Sequence, residues 1–121
     1  MKIERFEEII AWQKAQDVAV DIYFSFSNAK DYSFKDQICR ASVSISNNIA
    51  EGFDRGTDAD FTRFLYIATA SCSEVRSMLY LAERLKYIEI QKRDDLINNC
   101  LEISRLIKGF IKSLNNKSHK L

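Results

Sequence analysis

Serine, asparagine and glutamate crowd one short stretch of the chain, ASVSISNNIAEGFDRG over residues 41–56, and all three types occur in hydrolytic sites. Ser42, Ser44 or Ser46 would act as a nucleophile only beside a base held within hydrogen-bond reach. The one histidine is His119, in a tail expected to fray, so no Ser-His-Asp arrangement is expected. Asn48 and Glu51 lie three apart on one helix face, where bonding to each other or to a neighbouring helix explains them more simply than orienting a substrate. Gly52-x-x-x-Gly56 lacks the Lys and Ser/Thr that complete a phosphate loop, which makes it a turn. Carboxylate-bridged metal sites in helical bundles need Glu-x-x-His pairs, and the chain has none. Cys39, Cys72 and Cys100 are odd in number and far apart, which suits neither a disulfide framework nor zinc. They read as small buried hydrophobes in a reducing, cytoplasmic compartment. No catalytic residue, metal ligand, cofactor or small-molecule substrate is expected.

The elements that hold these residues are read from periodicity. The chain of 121 residues has no proline, is 46% hydrophobic and 29% charged, and has the size of one domain. A first amphipathic segment covers about residues 4–26, with Trp12, Ala15, Ala19, Ile22 and Phe26 at steps of three and four. A second opens at Ser33, with Asp36 at capping-box spacing, and carries Phe34, Ile38, Ala41, Ile45 and Ile49 inward. Gly52 is placed to terminate it. Thr57 with Asp60 caps a third and longest segment, whose stripe runs from Phe61 to Leu85. A fourth, about residues 93–115, places Asp94 and Asp95 in its first turn and Lys112 in its last, and its Gly109 suggests a close backbone contact. Residues 115–121 are expected to fray. The arrangement predicted is all-α, an antiparallel up-down-up-down four-helix bundle.

Centring the second helix on Ile45 puts Cys39, Val43 and Ala50 on its back, where Lys and Glu would normally face solvent. Small side chains there permit another helix to approach closely, so this face is expected to be a subunit interface. Net charge is +1, so whole-molecule electrostatics draw the protein to neither nucleic acid nor anionic lipid. No apolar run is long enough to cross a membrane. One local asymmetry remains. From Arg105 onward the chain holds Arg105, Lys108, Lys112, Lys117 and Lys120 and no acidic side chain. The first three share a helix face that would suit phosphate contacts or, more simply, the helix dipole.

Several phrases together resemble a known family: Trp12-Gln13-Lys14-Ala15; Arg40-Ala41; Val43-Ser44-Ile45; Asn48-Ile49-Ala50-Glu51-Gly52; Arg55; and Phe61 with Arg63-Phe64-Leu65. They are similar to the proteins encoded in intervening sequences of bacterial 23S ribosomal RNA genes, over about residues 6–85, with the fourth helix agreeing in pattern only. The resemblance implies a four-helix bundle that assembles into a ring-like homopentamer. It also implies kinship with the strongly basic accessory protein of diversity-generating retroelements, which is thought to bind nucleic acid and a reverse transcriptase. It supplies no catalytic residues, and Trp12, Arg40, Ser44, Asn48, Glu51, Gly52 and Arg55 are read as structural motif positions. Ser46 stands where many relatives have proline, Ala70-Ser71 where they have Gly-Ser, and the near-zero charge departs from the basic relative. The function expected is non-enzymatic self-assembly acting through binding. The alternative is a nucleic-acid-binding accessory factor using Arg105, Lys108 and Lys112, joined in the assembled ring by Arg55, Arg63 and Arg76.

Overall fold

The chain reverses direction three times between four long helices in the computed structural model, which describes residues 2–118, with the side chains of 117 and 118 excepted. They are α1 (Ile10–Ser25), α2 (Tyr32–Asp54), α3 (Asp58–Arg84) and α4 (Ile90–Ser118), preceded by a single 3-10 turn at Phe6–Glu8. Each helix packs on its sequence neighbours, and α1 closes against α4. The result is the antiparallel four-helix bundle. Its core is a continuous column that includes Ile22, Ile38, Ile45, Leu65, Val75, Leu79, Ile103 and Ile107.

The first segment is not one helix. Ile9 is extended (φ −76°, ψ 119°) and only 2% exposed, so the chain breaks the helix to drive this side chain into the core. Phe6 folds back edge-on to Trp12, with ring centroids 5.3 Å apart. The Gln13 amide donates to the Glu7 carbonyl at 2.8 Å, and the next residue, Lys14, pairs with Glu102 of α4 at 3.2 Å. Trp12-Gln13-Lys14-Ala15 therefore fastens the entry of α1, with Ala15 fully buried.

The cap of α2 is Asp31 rather than the expected Ser33. Its carboxylate accepts the Phe34 amide at 3.2 Å and the Tyr87 hydroxyl at 2.8 Å, so one side chain ties the start of α2 to the α3–α4 loop. Gly52 does not end α2 either. It is helical and buried, and a Cβ built there would lie 2.5 Å from the Phe64 Cβ, because α2 and α3 approach closely at this point. Termination falls to Gly56, whose φ of 89° no other residue type adopts cheaply. Thr57 then caps α3 as its spacing predicts, accepting the Asp60 amide at 3.2 Å.

At the far end of α3 the reversal has no glycine. Lys86 takes the left-handed conformation (φ 63°), with the Lys86 amide on the Glu83 carbonyl and the Tyr87 amide on Ala82. These are the two bonds of a Schellman motif. Helix α4 starts at Ile90, earlier than expected, so Asp94 and Asp95 sit beyond its first turn, and it continues to Ser118. Lys112 is therefore not in the last turn. Residues 119–121, including His119 and Lys120, lie outside the described residues, as does the Lys117 side chain. Gly109 is exposed with nothing within 4 Å of a built Cβ, so the close contact expected there is absent.

Candidate interaction surfaces

The serines of α2 are bonded into the fold. Ser42 and Ser46 are fully buried, and their hydroxyls donate to the carbonyls of Cys39 (2.8 Å) and Val43 (3.3 Å). Ser46 also accepts the Gln16 amide of α1 at 3.0 Å. Ser44 and Ser71 share a hydrogen bond of 2.8 Å between α2 and α3, and Asn48 donates to both the carbonyl and the hydroxyl of Ser44. Asn48 thus bonds one turn back rather than to Glu51, which is exposed. These contacts satisfy polar groups where helices approach closely, and among the described residues no carboxylate or imidazole bonds the hydroxyl of Ser42, Ser44 or Ser46.

They also rotate α2 relative to expectation. With small hydroxyls on one flank, α1 packs against Ser42 and Ser46, so the buried arc is centred about 40° from Ile45 toward that flank. Cys39 falls inside this arc and is only 5% exposed, which removes it from the expected subunit interface. Val43 and Ala50 are half-buried at the margin. The outward line is instead polar, formed by Arg40, Asn47 and Glu51. Tyr23 of α1 leans over it, and with Arg40, Val43, Ser44, Asn47 and Asn48 lines an open groove of about 360 Å³.

Gly52 and Arg55 build the α2–α3 corner. Phe64 seats against Gly52, and its ring is flanked by the Arg55 and Arg63 guanidinium groups, 5.0 and 4.6 Å from its centroid. Both arginines reach Asp60, at 4.0 and 3.7 Å. Beneath them Phe53, Phe61 and Phe110 stack edge to face, with centroids 5.6 and 5.2 Å apart. The motif running from Asn48 to Phe64 is thus a packing device, with its two cations engaged by Phe64 and Asp60.

All three cysteines are buried. Burial pushes each thiol above its usual range, Cys100 to about 12. The Ser104 hydroxyl on Cys72 and the charge of Arg76 oppose the rise without reversing it. Arg76 bonds Ser73 at 3.4 Å, while its buried Nε has no partner among the described residues. Among the described residues no group of three or more His, Cys, Asp or Glu side chains could hold a metal ion. No helix among them is long and apolar enough to cross a membrane.

Two surfaces stand out. Lys108, Ile111, Lys112, Asn115 and Asn116 of α4 join Tyr66 of α3 around an open groove of about 510 Å³. Arg105 lies on the same face one turn earlier, and none of Arg105, Lys108 and Lys112 has a carboxylate within 4.0 Å among the described residues. Tyr66, 58% exposed, was not singled out from the sequence. Its signal is the spacing Tyr66, Ser73, Tyr80, which puts two aromatics on a polar flank of α3 where solubility alone would favour charge.

The second surface is the end of the bundle where α1 and α3 finish and α2 and α4 begin. Nine of the thirteen large apolar side chains exposed among the described residues are at this end. They include Tyr23 and Phe24 of α1, Tyr32 of α2, Leu81 and Leu85 around the end of α3, and Ile90 of α4. Phe24 is 75% exposed.

A family model for 23S rRNA-intervening sequence proteins matches residues 7–109. The fold is similar to the crystal structure, at 1.70 Å resolution, of a protein of unknown function from the S23 ribosomal protein family of Bacteroides thetaiotaomicron VPI-5482. The TM-score is 0.79 and the identity 31%, over 85% of this chain and 99% of that one. No curated protein matches the sequence. Matched over residues 7–109, a span that contains the Trp-Gln-Lys-Ala entry, the serines of α2 and the Phe64 corner, the chain belongs to the 23S rRNA-intervening sequence protein family.

Proposed function

We propose that this protein is a non-enzymatic, cytoplasmic, self-assembling bundle, a homopentamer that works by binding. The observation that carries the reading is the concentration of exposed large apolar side chains at one end. Scattered singly, such residues are ordinary, but gathered together they indicate a surface normally covered. Phe24, Tyr32 and Ile90 are 75%, 70% and 56% exposed on the isolated protomer. We therefore place the leading interface at this end rather than on the back of α2, where Val43 lies mid-helix and Ala50 near the opposite end. The subunit number comes from the family resemblance. The buried serines and raised thiol pKa values support a role without turnover, and three free thiols suit a reducing compartment.

Size-exclusion chromatography with light scattering tests this. A mass about five times the 14.0 kDa protomer is expected, falling in the Phe24→Lys variant. A protomer mass at micromolar concentration, or an assembly indifferent to Phe24→Lys but broken by Ala50→Trp, refutes the interface.

A second reading is favoured by one observation, the three cations of α4 that lack carboxylate partners among the described residues. On that reading the protein is an accessory factor that binds RNA or DNA, alone or beside a reverse transcriptase. Arg105, Lys108 and Lys112 carry the contact. Arg55 and Arg63 already engage Phe64 and Asp60, and contribute less. Nothing shifting in a gel at about 50 mM salt would remove this reading, because phosphate contacts are strongest when salt is low.

A further inference from the structure

We infer that the groove between α3 and α4 binds single-stranded nucleic acid, with a base stacked on Tyr66 and the backbone held by Arg105, Lys108 and Lys112. The inference rests on the nucleic-acid reading above and adds to it the form of the ligand. Three features that strand binders combine meet in this groove. First, the cations are uncompensated: along α4 from residue 103 to residue 116 there is no acidic side chain, and none of the three has an ion-pair partner among the described residues. By contrast Lys14, Lys92 and Arg93 each pair with a carboxylate at 3.2 Å or less. Second, an aromatic ring lies within the charged groove rather than beside it, since Tyr66 lines it together with Lys108 and Lys112. Third, Asn115 and Asn116, which also line it, add amide donors and acceptors that can meet base edges.

Geometry selects single strands over duplex. Arg105 to Lys112 covers seven residues, or about 10 Å of helix. All four helices are packed side by side, so none projects as an element free to enter a major groove. A duplex hides the base faces that Tyr66 would stack on, whereas every unpaired base presents one. Near-neutral net charge is compatible with this, because the field comes from one face rather than the whole molecule.

Fluorescence anisotropy with labelled 12-nucleotide single strands of mixed sequence, as RNA and as DNA, and with the matching duplexes, provides the test on the full chain. Three phosphate contacts on a single strand give a log–log salt slope near −2.1, a loss of about 20-fold between 50 and 200 mM salt. Tyr66→Ala should weaken single-strand binding by about 5- to 150-fold with the slope unchanged, and Tyr66→Phe should retain it. Lys108→Gln with Lys112→Gln should instead flatten the slope by about 1.4. Tyr66 is exposed, and unchanged circular dichroism would establish that its variants fold. Equal affinity for duplex, or full binding by Tyr66→Ala, overturns the groove while leaving a nucleic-acid role that depends on the lysines. No binding of any strand at 50 mM salt overturns both.

Discussion

Replacing each of the three glycines by alanine should give three different results, and Gly52 is the decisive one. In the interior of α2, alanine gains about 1 kcal/mol of helix propensity over glycine. At Gly52 that gain meets a steric cost, since the new Cβ would lie 2.5 Å from the Phe64 Cβ, 3.2 Å from its Cγ and 3.3 Å from the Phe61 Cδ1. A Cβ cannot swing aside as a side-chain tip can, so α2 and α3 must separate. Overpacking costs about 1–3 kcal/mol, and here the upper half is expected because moving the helices apart loosens contacts along their length. The net loss is then about 1–2 kcal/mol, or roughly 4–8 °C in Tm for a chain of this size. Gly109 is the control: exposed and helical with open space, it should gain about 1 kcal/mol as alanine. Gly56, at φ 89°, should lose about 1–2 kcal/mol through backbone strain although nothing crowds it. Urea and thermal unfolding followed at 222 nm, at one fixed protomer concentration, measure all three. If Gly52→Ala stabilises as Gly109→Ala does, the close approach at Phe64 is wrong.

Other outcomes follow from particular residues. Lys86→Gly should stabilise by about 1 kcal/mol, because lysine holds a left-handed conformation (φ 63°) that glycine adopts freely; denaturant midpoints check this. The Asp31 carboxyl is held below its ordinary pKa by the Tyr87 hydroxyl and the Phe34 amide. A depressed folded-state pKa contributes stability above the unfolded value, near 4, and loses it as pH falls through the folded one. Asp31→Asn should therefore be less stable than the parent at pH 7, with the gap closing on acidification below pH 4; parallel curves down to pH 2 would contradict the contact. Cys100, pushed up to about 12, should be about one part in ten thousand thiolate at pH 8. All three thiols should react with a disulfide reagent only as fast as the protein unfolds, and prompt labelling of the native protein would show the burial to be wrong.

The stripes at steps of three and four marked the four helices because burial of one face is what stabilises them, and Thr57 was readable as a cap because its partner is three residues away. The cap bond of Asp31 to Phe34 is just as local, but Ser33 with Asp36 offers a competing capping spacing, and only the bond of Asp31 to Tyr87 is distant in sequence. The break at Ile9 was invisible: an apolar residue at a helical position carries no sign that the core needs it turned out of phase. Cys39 was misplaced because the helical wheel was centred on Ile45, in the middle of the large apolar side chains, whereas the small hydroxyls of Ser42 and Ser46 let α1 in and moved the centre of burial. Gly52 looked like a stop signal, and only the position of Phe64 shows that its missing Cβ is filled space. The basic face of α4 was legible from spacing, but Tyr66 joins it across two helices, which no local pattern encodes.

Local information in the chain settled what kind of element each segment forms, since periodicity and nearby caps act within a few residues. Which flank of each helix is buried, which glycine bends and which packs, and whether a cation is paired or free were decided by contacts between residues far apart in the chain. Those contacts exist only once the four helices have met, because packing and Coulomb energies depend on distance in space and not on separation along the sequence.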